Sequence, residues 1–157
     1  MADSVKMSIS RALPVTLGSY NCRGYNSVKR DFIHKHLANV DILFVQEHWL
    51  SDSQLHDLGN VDNNISFSGV SGFDNSELLY GRPYGGCAFL WRSALLASVA
   101  PISVDSRRVC AIHVSSKDWN LLLINVYMPY DDSDARTEEF SQILCLIEDL
   151  IDRYTNC

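Results

Sequence analysis

Apolar positions along this chain fall into short runs whose spacing changes from one run to the next. Residues 15–21 (VTLGSYN) begin as a strand that Gly24 ends in the following CRGYN. Residues 27–38 carry Val28, Phe32, Ile33 and Leu37 at helical spacing, with Lys29, Arg30 and Lys35 largely on the other side, which predicts a helix. Residues 41–46 (DILFVQ) form a nearly unbroken apolar run, the pattern of a strand covered on both faces. A short helix capped by Ser51 or Asp52 is expected over 51–58. Residues 59–84 are rich in Gly, Asn, Ser and Asp and predict a long surface connection holding one strand at 65–69. The stretch GGCAFLWR (85–92) reads as a strand entered through two glycines. Strands follow at 99–104, 108–115 and 119–127, the last two as a hairpin turning at Ser116-Lys117-Asp118.

The last run is the clearest. Phe140, Ile143, Leu144, Ile147, Leu150, Ile151 and Tyr154 lie on one helical stripe, with Glu138 and Glu139 in the first turns and Asp134 or Ser133 as cap. Helix and strand alternate early and strands meander later, which predicts a mixed α/β layered fold. Residues 1–14 are expected to be a short tail, and 15–157 one domain. A charged fraction of 20% and an apolar fraction of 46% suit a packed core in 157 residues.

Charge changes the picture in one place. The net charge of −6 sits in residues 130–157, where eight acids face only Arg136 and Arg153; residues 1–129 balance eleven acids against eleven bases. No basic patch stands out, which argues against tight nonspecific binding of nucleic acid. Cys22, Cys87, Cys110, Cys145 and Cys157 form no Cys-x-x-Cys pair, so no disulfide partner is expected and an intracellular chain, nuclear or cytoplasmic, is the reading. The start lacks the apolar core of a secretory signal, and no segment reaches the length of a membrane helix.

Three polar residues sit where strands are predicted to end: Asn21, Glu47 and Tyr127. Taken singly, Asn21 is more simply a turn residue, Glu47 a loop carboxylate and Tyr127 a rim aromatic. Brought to one sheet edge, they make a site for a hard cation and a phosphate. A carboxylate suits Mg²⁺, which keeps most of its waters, and an amide and a phenol suit phosphate oxygens.

The blocks SYNCRGYN, DILFVQEHWL, GRPYGGCAFLWR and LLLINVYMPYDD, in that order, resemble the endonuclease/exonuclease/phosphatase superfamily. More narrowly they resemble the apurinic-type endonuclease domain of LINE-type (non-LTR) retrotransposons. The resemblance runs from about residue 15 onward. It implies a DNase I-like four-layer α/β/β/α sandwich, of which this chain carries the N-terminal part. It implies Mg²⁺-dependent hydrolysis of DNA phosphodiesters, with DNA as partner. Glu47 would coordinate Mg²⁺ (or Mn²⁺). Asn21 would help hold the metal, its waters and the phosphate. Tyr127 would hydrogen-bond the scissile phosphate. Arg23, Arg82 and Arg92 flank these blocks and are candidate phosphate contacts, with ordinary surface cations as the alternative.

The family also uses a Gly-Asp-x-Asn block and a Ser-Asp-His block, and neither occurs in these 157 residues. None of His34, His36, His48, His56 and His113 has an evident aspartate partner. His48 is a candidate support for Glu47, and His113 reads as an exposed strand position. A catalytically dead binding module, or a phosphatase of the same fold, is therefore the alternative expectation. Uncovered sheet edges and an uncovered final stripe further predict marginal stability.

Overall fold

The computed structural model describes residues 15–73, 83–129 and 134–155. Two sheets form. The first contains β1 (Leu17–Asn21), β2 (Ile42–Gln46), β3 (Ile65–Val70) and β4 (Cys87–Arg92), in the order β1-β2-β4-β3. β1 and β2 run parallel, joined through α1 (Ser27–Leu37), while β4 is antiparallel to both β2 and β3. The second contains β5 (Ser98–Ile102), β6 (Val109–Ser115) and β7 (Asn120–Val126) in an antiparallel meander. The final helix, α2, spans Asp134–Arg153.

The period-two alternation of the strands sorts their side chains into three apolar layers. On the outer face of the first sheet, Leu43, Val45, Ala88 and Leu90 meet Ile33 and Leu37 of α1 and Leu58 of a 3-10 helix at Asp52–Val61. Between the sheets, Ile42, Cys87, Phe89 and Trp91 meet Cys110, Ile112, Val114 and Leu123. On the outer face of the second sheet, Val109 and Ala111 meet Ile143 and Leu150 of α2. The order of layers is helix, sheet, sheet, helix.

Local chemistry explains the element ends. Asn26 caps α1, its side chain accepting from the Lys29 N–H at 3.0 Å. The Ser51 N–H donates to Gln54 Oε1 at 3.2 Å, opening the 3-10 helix. The cap expected at Ser133 or Asp134 concerns positions outside the described side chains.

Four expectations need correction. Val28 is 72% exposed and leaves the buried face of α1 to Ile33 and Leu37; Phe32 instead lies against Tyr20, ring centroids 4.5 Å apart. Leu144 and Ile151 are exposed on α2, and Leu146 packs in their place. The stripe of α2 is covered, because the second sheet supplies the surface it needs. His113 is half-buried rather than exposed, its ring 5.6 Å from that of Tyr154, because its side of β6 faces α2.

Candidate active site

The ends of three strands meet at one end of the two sheets. Asn21 ends β1 and pairs in register with Gln46, which ends β2; Gln46 pairs in turn with Cys87, which begins β4. In the facing sheet, Val126 ends β7 opposite Val109, and the Tyr127 N–H donates to the Arg108 carbonyl at 2.9 Å. Glu47 and Tyr127 therefore arrive from different sheets.

The Glu47 carboxylate is the common neighbour of Asn21 and Tyr127. Asn21 Nδ2 donates to Glu47 Oε1 at 2.6 Å, and Asn21 Oδ1 accepts from the Arg23 N–H at 3.2 Å. The Tyr127 phenol lies near enough to the same carboxylate to feel its charge. Burial and then the Glu47 charge hold this phenol above its ordinary pKa of 10, against an opposing pull from Arg108. At neutral pH it stays protonated and is a hydrogen-bond donor. The Arg108 guanidinium lies over the Tyr127 ring, 5.8 Å from the centroid, and its Nε contacts Glu139 Oε1 at 2.6 Å.

The backbone beneath Glu47 is unusual. Arg23, Glu47 and Trp49 have φ of 48°, 54° and 60°, a left-handed conformation uncommon outside glycine. Hydrogen bonds on both sides hold the kink. Glu47 N–H donates to the Gly86 carbonyl and Trp49 N–H to the Gly85 carbonyl, while Gly24 N–H and Tyr25 N–H donate to the Glu47 and His48 carbonyls. The kink turns His48 inward. Its ring is fully buried, Nδ1 accepting from the Leu50 N–H at 3.0 Å, so Nε2 carries the proton and donates to the Val70 carbonyl at 3.1 Å. Burial pushes its pKa down to about 4, so the ring is neutral. Gly86, at φ +88°, lies flat against this ring, and a Cβ there would collide with it.

The structure thus brings Asn21, Glu47 and Tyr127 together, with Arg23 beside them through its backbone. It does not bring Arg92. That residue lies beyond Trp91, which pairs with Ile42 at the opposite end of the sheet. Its guanidinium donates to the carbonyls of Leu37, Ala38 and Val40, closing the C-terminus of α1. Proximity to a site block in sequence misled, because a six-residue strand has two ends. Arg82 lies outside the described residues. Two residues escaped the sequence reading: Arg108, and Asn125, which is buried between the sheets. The signal for Asn125 was an amide at an inward position of a strand, two residues before Tyr127.

Donor chemistry decides what the site can hold. Among the described residues no three His, Cys, Asp or Glu side chains converge as a metal cluster. One carboxylate, tied to one amide, fits a hard cation that takes few protein ligands. Asn21 directs its NH₂ at the carboxylate, so it orients Glu47.

Comparison with known proteins bears on this geometry. Residues 18–152 match the Endonuclease/Exonuclease/phosphatase family. The chain belongs to that family. Solved structures of this family's fold resemble it over nearly the whole chain. The 3' phosphatase NExo from Neisseria, bound to a product DNA hairpin, superposes with a TM-score of 0.62 at 20% identity, covering 90% of this chain and 53% of its own. The endonuclease domain of TRAS1, a telomere-specific non-LTR retrotransposon, gives 0.57 at 11% identity, covering 89% and 53%. The AP endonuclease LMAP from Leishmania major gives 0.59 at 12%, covering 87% and 47%. This endonuclease/exonuclease/phosphatase chain spans about half the length of these structures. A search of curated proteins finds no significant match. Among the described residues no helix is long and apolar enough to cross a membrane.

Proposed function

We propose that this chain carries the cation- and phosphate-binding face of a Mg²⁺-dependent site that cleaves DNA phosphodiesters. The observation that carries this is the convergence of Asn21, Glu47 and Tyr127 from three strands in two sheets. Glu47 would hold the cation, with Asn21 fixing the carboxylate's orientation. A phosphate brought against Glu47 meets like charge, and Arg108 beside it is already engaged by Glu139. A divalent cation there would offset that repulsion and stabilise charge on the phosphate. Tyr127, kept protonated, donates to a phosphate oxygen. The family membership and the DNA-bound Neisseria neighbour support DNA as the substrate class.

The second reading is a binding module without turnover. It draws support from the histidines. His48 has both ring nitrogens engaged by backbone, His36 bonds the Phe32 carbonyl, and His113 lies under α2; His34 and His56, against expectation, each lie 3.4 Å from an aspartate, Asp62 and Asp57, but on exposed side chains away from Glu47 in sequence. A phosphomonoesterase of the same fold is a further alternative.

Mn²⁺ titration followed by electron paramagnetic resonance, paired with nicking of supercoiled plasmid, separates these. The nuclease reading expects bound Mn²⁺ and Mg²⁺-dependent nicking, both lost in Glu47→Gln, with metal affinity falling by about tenfold or more. Mn²⁺ binding without nicking supports the binding module. Release of phosphate from a 3'-phosphorylated oligonucleotide without nicking supports the phosphatase. Unchanged Mn²⁺ binding in Glu47→Gln would overturn the site.

A further inference from the structure

Among the described residues, the fully buried side chains between the two sheets are apolar apart from Asn125. Asn125, on the inward face of β7, is 2% exposed. Its Nδ2 donates to the Val45 carbonyl at 3.0 Å and the Ala88 carbonyl at 2.8 Å, and its Oδ1 accepts from Gln46 Nε2 at 2.7 Å. Val45 and Ala88 are partners across the β2–β4 ladder. One amide of the second sheet therefore closes on two strands of the first, and every polar atom it has towards that sheet is satisfied.

An asparagine is a poor choice for a strand, and a buried amide is costly unless fully bonded. Leucine would suit a layer made of Cys110, Ile112, Leu123 and Phe89 on hydrophobic grounds alone. The amide supplies direction instead. Apolar contact lets two sheets slide or part slightly, whereas three hydrogen bonds fix both their separation and their register at one place. That place is two residues before Tyr127 on β7 and one residue before Glu47, through Gln46, on β2. Gln46 extends the link, its Oε1 accepting from Ser19 Oγ at 3.4 Å on β1, the strand that ends at Asn21. The chain of bonds Ser19–Gln46–Asn125 thus ties the roots of all three converging residues.

We propose that Asn125, with Gln46, is a positioning residue that sets the approach of Tyr127 to Glu47 by bolting the two sheets together at their site end. The role rests on the reading of Glu47 and Tyr127 as one site; the bolt itself is a matter of geometry. Removing it should leave the apolar layer assembled and the far end of the sandwich unchanged, while the site end opens.

The test is nuclear Overhauser spectroscopy on the whole chain, without metal or DNA. In the unmodified protein, Tyr127 ring protons should show cross-peaks to the side chain of Glu47. In Asn125→Leu these should be lost, while cross-peaks around Trp91 and Val114, at the far end of the same layer, persist. Site-end cross-peaks that survive unchanged overturn the proposal, and so does equal loss at both ends, which would make Asn125 an ordinary core residue. If Asn125→Leu does not fold, Gln46→Leu removes one bond of the three at a half-buried position and should weaken the same cross-peaks alone. Where nicking is measurable, Asn125→Leu should lower kcat by about tenfold with KM and Mn²⁺ affinity nearly unchanged. Because the cross-peaks need no activity, the bolt stands or falls separately from the nuclease reading.

Discussion

At the scale of single residues, the site depends on a backbone kink and on the ring that fills it. Glu47 at φ 54° is strained, and the strain is held by Gly85 and Gly86 carbonyls on one side and by the packed His48 ring on the other. Gly86→Ala adds a side chain where φ is +88° and the imidazole already lies. It should cost about 2–4 kcal/mol in urea unfolding and reduce Mn²⁺ binding with it. His48 itself makes stability depend on pH. Its folded pKa is about 4 against an ordinary 6.5, because burial disfavours the charged ring. Between those values the unfolded chain takes up a proton that the folded chain refuses. The stabilisation is complete above pH 6.5 and is lost as pH falls towards 4, by at most about 3 kcal/mol. The groups around the ring are the Val70 carbonyl, the Leu50 N–H and the backbone near Cys87, so no carboxylate there reverses the sign. Urea midpoints at pH 7 and pH 5 should differ in the unmodified protein and differ less in His48→Gln. The converging trio was legible because each member stood at a predicted strand end inside a recognisable block. The kink was not legible, since nothing in QEHW announces three residues' worth of left-handed and inward-turned backbone.

At the scale of elements, the run of apolar residues was a sound guide where a strand is covered on both faces. Residues 41–46 became β2 because α1 and the 3-10 helix cover one face and the second sheet covers the other, and the hairpin of β6 and β7 turned at the polar triplet 116–118. Pattern failed where it assigned partners. Val28 lies at the helical spacing of a buried face but falls in the first turn of α1, where the 3-10 helix and β2 do not reach it. Arg92 was legible as a cation and not as a cap, because the carbonyls it closes belong to a helix more than fifty residues earlier. That assignment has a consequence. Arg92→Ala should unfold about 2 kcal/mol more easily, since three helix-end carbonyls lose a charged donor, and Arg92→Lys should recover little because a point charge cannot span them. DNA binding and nicking, measured below the melting temperature, should be unaffected by either change. A loss of DNA affinity at unchanged stability would instead return Arg92 to the phosphate surface.

At the scale of the whole molecule, two features pull in different directions. The three apolar layers share their strands: β2 and β4 each contribute alternate residues to the outer and inner layers, and β6 does so for the second sheet. No layer can melt without exposing the back of another. Among the described residues, however, β1, β3, β5 and β7 each present an unpaired edge, and Leu121 and Leu122 on β7 are only half-buried. Shared strands favour a single transition, whereas open edges favour pairing between chains. These effects separate by concentration. In dilute solution the helix signal at far-ultraviolet wavelengths and tryptophan fluorescence should lose amplitude together. Ile112→Ala, in the fully buried layer between the sheets, should lower both midpoints equally, with a loss of about 2–5 kcal/mol in unfolding free energy. As concentration rises, sedimentation velocity should show association that grows without loss of helix signal, because edges pair while layers stay closed. Two separated thermal transitions would contradict the sharing of strands. Association that appears only after the helix signal is lost would assign it to unfolded chain, leaving the sheet edges without a part in it.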